Sequence, residues 1–145
     1  MLKELCGLKG FFTMQTKGNE IVLDDTTLLV SETDARGHIV FADKAFVHVS
    51  GYSLEELIGQ PHNIIRHPDM PKAAFKELWE TIKQGKVWQG FVKNSAKNGQ
   101  HYWVFATIFP FGKEHYLSVR KKAFPEEIEK YEAVYRKMRE QEQRA

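Results

Sequence analysis

The sequence predicts an α+β domain built on an antiparallel sheet, and three observations carry that reading. Runs of β-branched and aromatic residues come in hairpin-like groups near both ends, a series of short helical segments separates them, and turn residues mark the junctions. The order is ββ, helices, then βββ, in which strands adjacent in sequence pair antiparallel.

Thr27–Thr33 (TLLVSET) and His38–Ala42 (HIVFA) flank the turn Asp34-Ala35-Arg36-Gly37 and read as a hairpin. Asp43 then opens a helical stretch carrying Phe46, Val47 and Val49, which stops at Gly51. Ser53-Leu54-Glu55-Glu56 is a capping box, in which hydroxyl and carboxylate each satisfy a free N–H, so a second short helix begins there and ends by Gly59. Gln60–Met70 (QPHNIIRHPDM) has two prolines and no periodicity, which predicts a loop with one helical turn. Pro71 suits the first position of a helix, and Asp69 before it suits a cap. Ala74, Phe75, Leu78, Trp79 and Ile82 then form one apolar face at 3.6 spacing, and Gly85 ends the helix. Val87–Asn94 (VWQGFVKN) and Gln100–Phe109 (QHYWVFATIF) flank Lys97-Asn98-Gly99, and Asn-Gly between such runs is a strong hairpin signal. Glu114–Lys121 (EHYLSVRK) is a fifth strand after a turn at Gly112.

The ends differ in character. Residues 1–23 read as an N-terminal cap segment, where Leu2, Leu5 and Leu8 recur every third residue and suggest a short amphipathic helix. Residues 24–123 form the central domain. Residues 124–145 form a C-terminal helix for signalling or dimerisation, because Phe124, Ile128, Tyr131, Tyr135 and Met138 make a heptad seam flanked by Glu126–Lys130 and Glu132–Arg136 pairs.

Composition narrows the function. A chain of 145 residues is one domain's worth, and 42% hydrophobic residues exclude disorder. The balance of 21 basic and 19 acidic residues leaves a net charge of +2, so no nucleic-acid partner is expected. A single cysteine, Cys6, excludes an internal disulfide and fits a reducing compartment. No apolar run approaches the roughly 20 residues of a membrane span, and Lys3, Glu4 and Lys9 interrupt any signal-peptide core. A cytoplasmic location follows as the expectation. Neither a nucleophile–base set, nor a Gly-rich phosphate loop, nor paired carboxylates stand out, so an enzyme is not expected.

Phe46…Ser50-Gly51-Tyr52-Ser53…Glu56-Leu57-Ile58-Gly59, His67-Pro68-Asp69-Met70-Pro71, Phe75…Trp79…Ile82…Gly85…Trp88…Gly90 and Asn94…Lys97-Asn98-Gly99…Tyr102-Trp103 together resemble a PAS domain. The stretches Gly59–Phe75 and Trp88–Val104 are similar to the FAD-binding PAS domain of bacterial aerotaxis receptors, with Asp43 standing where those receptors carry an Asn. The resemblance implies a five-stranded antiparallel sheet with short helices on one face and flanking N- and C-terminal helices. It also implies FAD as cofactor, a redox or oxygen sensor as function, and a signalling protein, chemotaxis receptor or second copy of the chain as partner. The cofactor-binding residues implied are His62, Asn63, Arg66, His67, Trp79, Trp88 and Asn94.

The chemistry of those residues suits a flavin, a flat tricycle with polar edges, while leaving rival readings open. Trp79 and Trp88 supply walls and indole donors, or serve as core; Trp103 reads as sheet packing. Asn94 offers donor and acceptor to a ring edge, or caps the hairpin. Arg66 and His67 could hold the pyrophosphate of FAD, while Asp69 caps the next helix and pairs with Arg66. His62 and His67 are the haem-ligand candidates, which makes a haem gas sensor one alternative; a ligand-free docking or dimerisation module is the other. No second pair of ligands completes a zinc site, and His38, His48, His101 and His115 read as surface or sheet residues. His62 stands where light-sensing flavin domains place a reactive cysteine, which excludes adduct photochemistry.

Overall fold

The structure, a computed structural model, describes residues 14–144. The strands are β1 (Met14–Lys17), β2 (Glu20–Leu23), β3 (Leu29–Thr33), β4 (Ile39–Ala42), β5 (Trp88–Ser95), β6 (His101–Phe111) and β7 (His115–Lys122). The helices are α1 (Lys44–Ser50), α2 (Leu54–Leu57), a 3-10 turn at His62–Ile65, α3 (Lys72–Lys83) and α4 (Pro125–Arg144). The fold is α+β, as the sequence predicts.

β6 is the organising strand. β5 pairs along one side of it, from Trp88↔Ile108 to Ser95↔His101. β7 pairs along the other, from Val104↔Lys122 to Phe111↔His115, and β3 and β4 continue outward antiparallel from β7. β6 outruns β7, and β2 takes the free end through Glu20↔His101, the one parallel contact among the described residues.

Among the described residues the sheet therefore has seven strands where five were expected. β1 and β2 form a hairpin around Gly18, whose φ of 61° suits a residue without a Cβ. In β2 the buried Ile21 and Leu23 alternate with Glu20 and Val22, so a period of two governs residues assigned to a cap segment. The helix expected at Leu2, Leu5 and Leu8 lies outside the described residues.

The short helices form where local chemistry starts and stops them. The Asp43 carboxylate accepts from Phe46 N, and Gly51 closes α1 at a φ of 79°. Both halves of the Ser53–Glu56 capping box are made. These helices, the 3-10 turn and α3 cover one face of the sheet, with Leu29, Ile39, Phe46, Leu57, Ile65, Ile82 and Val104 buried. On β5 and β6, Phe91, Trp103 and Phe105 alternate with Val92, Tyr102, Val104 and Ala106, and so belong to the opposite face. α4 lies there. Tyr131 packs on Phe91 with ring centroids 4.7 Å apart, Tyr135 stacks on Trp103, and the Tyr135 hydroxyl donates to Phe91 O at 2.6 Å. The seam thus meets the sheet, apart from Phe124, which is exposed.

Candidate functional site

A cavity of about 280 Å³ lies between the helices and the sheet. Strand alternation aims Val92 and Asn94 from β5, Ala106 and Ile108 from β6, and Tyr116, Ser118 and Arg120 from β7 into it. Phe75, Leu78, Trp79 and Ile82 from α3 form the facing wall. The 60–66 loop closes one side and is tied to the β3–β4 turn, since Ile39 N donates to Gln60 O and His62 N to Gly37 O. Gly37 lies against Trp79: a Cβ there would stand a tight 3.0 Å from the indole, and its φ of 84° is one that glycine adopts freely, so glycine suits this turn.

The polar edge is concentrated at one end. Arg120 is 3% exposed, with its guanidinium donating to Ser31 Oγ at 2.9 Å, to His62 Nε2 at 2.8 Å and to Leu29 O at 3.3 Å. It also sits over the Phe46 ring. No carboxylate makes an ion pair with it among the described residues, and burial lowers its pKa to about 10. Because arginine only donates, His62 Nε2 must accept, which places the ring proton on Nδ1. Burial, and then the charge of Arg120, push the His62 pKa down to about 3.

Asn94 is 3% exposed and its Nδ2 has no hydrogen-bond partner among the described residues. A buried unpaired amide is costly, about 1–3 kcal/mol, and this one lines the cavity. Trp103 Nε1 is also unpaired, but Trp103 belongs to the far face under α4.

Of the residues that the sequence singles out, the cavity gathers His62, Asn63, Arg66, Trp79 and Asn94. Two lie elsewhere. Trp88 is buried at the start of β5, on the same face as Asn94 but beyond Gly90, and its ring fills the space that a Gly90 Cβ would take, 2.5 Å away; its Nε1 donates to Glu77 at 3.0 Å. That donor is therefore already engaged. His67 lines a second groove, its Nδ1 accepting from Asp69 N and its ring edge-on to His101. Arg66 joins both spaces, its guanidinium 4.1 Å from the centroid of Phe75. Asp69 neither caps α3 nor pairs with Arg66; it bridges to Lys93 Nζ at 2.9 Å. Its β5 partner sits closer than Arg66, which lies over an aromatic ring.

Sequence reasoning missed Arg120, Ser31 and Ser118. The signal was the period of two in His115–Lys122, which places Tyr116, Ser118 and Arg120 on one face. No group of three or more His, Cys, Asp or Glu could hold a metal among the described residues, and no helix among them is long and apolar enough to cross a membrane.

The residues present fit a flat heteroaromatic ligand. A cavity of 150 Å³ already admits benzene, so about 280 Å³ has room for fused rings, with apolar walls and an orphaned amide at the edge. A haem bound through His62 Nε2 would instead require that nitrogen to leave both Arg120 and Ser31.

Comparison with known proteins agrees with this architecture. Residues 39–120 match the family model described as the PAS fold. The chain is 51% identical over 125 residues to the aerotaxis receptor of Escherichia coli (strain K12), covering 83% of this chain and 24% of the receptor. It is 33% identical over 116 residues to a nitrogen fixation regulatory protein of Klebsiella pneumoniae, covering 77% of this chain and 22% of that protein. The chain thus spans about a quarter of the length of these relatives. Among solved structures, the dark structure of the blue-light photoreceptor Aureochrome1 LOV superposes with a TM-score of 0.62 at 20% identity, covering 79% of this chain and 86% of that one. On its family-model match and its identity to the aerotaxis receptor, the chain belongs to the PAS family.

Proposed function

We propose that this PAS domain binds FAD in the cavity and relays the redox state of the flavin, as an energy-taxis sensor, to a signalling protein or chemotaxis receptor. The observation that carries the reading is the unpaired Asn94 amide buried at the edge of an apolar cavity. Similarity to an aerotaxis receptor supports it. Trp79 and the aliphatic residues of α3 and β6, which line the cavity, would wall the ring, and Asn94, Ser118 and Arg120 would hold its polar edge.

Bound flavin supplies reversible redox chemistry in which a ring nitrogen changes from hydrogen-bond acceptor to donor. Asn94 would suit that nitrogen in either state, because its carboxamide carries both a donor and an acceptor and rotation about its last torsion exchanges them. Asn94 sits in β5, paired with Tyr102, and its backbone bridges to Arg66. The same strand carries Phe91 O, which holds Tyr135 of α4. One exchanged buried hydrogen bond is worth about 1–3 kcal/mol, enough to shift the docking of α4 by tenfold or more.

Purified protein should show a flavin absorption spectrum rather than a Soret band. Dithionite reduction should then change hydrogen exchange across Glu114–Met138 in the parent, and in Asn94→Ala that redox difference should vanish. Equal exchange in oxidised and reduced parent would defeat the relay.

A further inference from the structure

The outer face of the sheet holds a second space, under α4 and away from the ring cavity. A pocket of about 240 Å³ opens there between α4 and the strands β5 and β6, with Lys93, Trp103, Arg136 and Arg139 among its walls. Trp103 is 4% exposed and stacked on Tyr135, and its Nε1 has no hydrogen-bond partner among the described residues. An indole nitrogen only donates, so this buried group calls for an acceptor. We propose that the pocket takes a small oxyanion, a carboxylate or an inorganic anion, which accepts from Trp103 Nε1 and is held by Arg136 and Arg139.

The charges around the indole favour an anion. Three cations, Lys93, Arg136 and Arg139, line the pocket with two carboxylates, Asp69 and Glu132. Asp69 is already engaged, bridging to Lys93 Nζ at 2.9 Å. Arg136 makes no hydrogen bond or ion pair among the described residues, although Glu132 stands one turn before it on α4. Arg139 donates to the backbone oxygen of Asp69 through one nitrogen of its fork. Planar, permanently charged guanidinium groups suit an oxyanion. A water molecule would answer the indole but not the charge of Arg136. The pocket also has room for several heavy atoms, since one water takes about 30 Å³ of the liquid.

Such a ligand is gripped from two sides, because Lys93 and Trp103 belong to the sheet and Arg136 and Arg139 to α4. Binding and the docking of α4 must then strengthen each other by the same factor. The helix that would carry a signal from the cavity thus has an input of its own on the opposite face, independent of what fills the cavity.

Titration of the full chain with sodium acetate, sodium succinate and inorganic phosphate, at constant ionic strength, tests this. NMR follows the indole N–H signals, with that of Trp103 assigned through Trp103→Phe. At least one of the three anions should move the Trp103 signal saturably and slow hydrogen exchange in residues 132–139. A response to acetate or succinate makes the ligand a carboxylate; a response to phosphate alone makes it an inorganic anion. Arg136 is exposed, so Arg136→Gln spares the fold. It should weaken binding about tenfold or more, since a hydrogen bond to a charged group is worth over a decade of affinity. The indole signals of Trp79 and Trp88 should stay in place throughout. No saturable shift of the Trp103 signal with any of the three anions would overturn the inference. So would the same shift from added sodium chloride, which would be screening, or unchanged affinity in Arg136→Gln.

Discussion

His62 shows how a single residue acquires its character from its neighbours. In the unfolded chain its imidazole has the ordinary pKa of 6.5, but in the fold burial and Arg120 lower it to about 3. Between those values the unfolded state binds a proton that the folded state refuses, so stability falls as pH drops through this window. The expected slope from this residue is about 1.4 kcal/mol per pH unit. Urea denaturation between pH 4.5 and 6.5 lies above the range where Asp24 titrates; burial also lowers the pKa of His67 and His101, so the His62 share is read as the difference between parent and variant. His62→Gln, which keeps an acceptor for Arg120, should flatten the slope by about that amount. A variant with the parent's slope would show that the imidazole is not held neutral. Trp88 makes the converse point: Glu77 and Gly90 fix its donor and its ring, so its burial serves packing beside the cavity.

At the scale of elements, α3 and α4 complete each other. Pro71 at the start of α3 has no capping side chain, and the first amides would lack partners. Glu142 supplies the cap from the other end of the molecule, 70 residues along the chain from Lys72. Caps of this kind are worth about 1 kcal/mol, and the carboxylate also suits the positive end of the helix. Glu142→Ala should therefore speed exchange of the Lys72 and Ala73 amides several-fold and loosen the end of α4, with little change at β6. Unchanged protection at those two amides would show that the contact is not maintained in solution. The Tyr135–Phe91 bond and the Tyr135–Trp103 stack hold the middle of α4 independently.

The whole molecule is a sheet with a ligand-sized space on one face and a docked helix on the other. The two faces communicate through β5, where Asn94 points inward while Phe91 and Lys93 contact α4 and the 66–70 loop. A cavity lined by an unpaired amide is a place where a fitting ligand stabilises the folded state alone. Added FAD at a hundredfold excess over its dissociation constant should raise unfolding free energy by about 2.7 kcal/mol. Urea midpoints measured with and without FAD would show the shift, with unchanged m. A midpoint indifferent to FAD would count against the cavity as its site.

What the sequence determined by itself is what short-range chemistry decides. Asp43 and the Ser53–Glu56 box start helices, Gly51 ends one, Asn98-Gly99 turns a hairpin, and the face from Ala74 to Ile82 packs inward, because each effect acts within a few residues. The motifs also marked His62, Asn63, Arg66, Trp79 and Asn94, which the fold brings to the lining of one cavity. What only the tertiary structure decided involves partners far apart in the chain. The β1–β2 hairpin finds the free end of β6, Arg120 reaches Ser31 and His62, Trp88 finds Glu77, Asp69 takes Lys93 rather than Arg66, and Glu142 caps α3. Hydrogen bonds and ion pairs form between groups within a few ångströms in space, and only the folded sheet, twisting its strands against the helices, sets those distances.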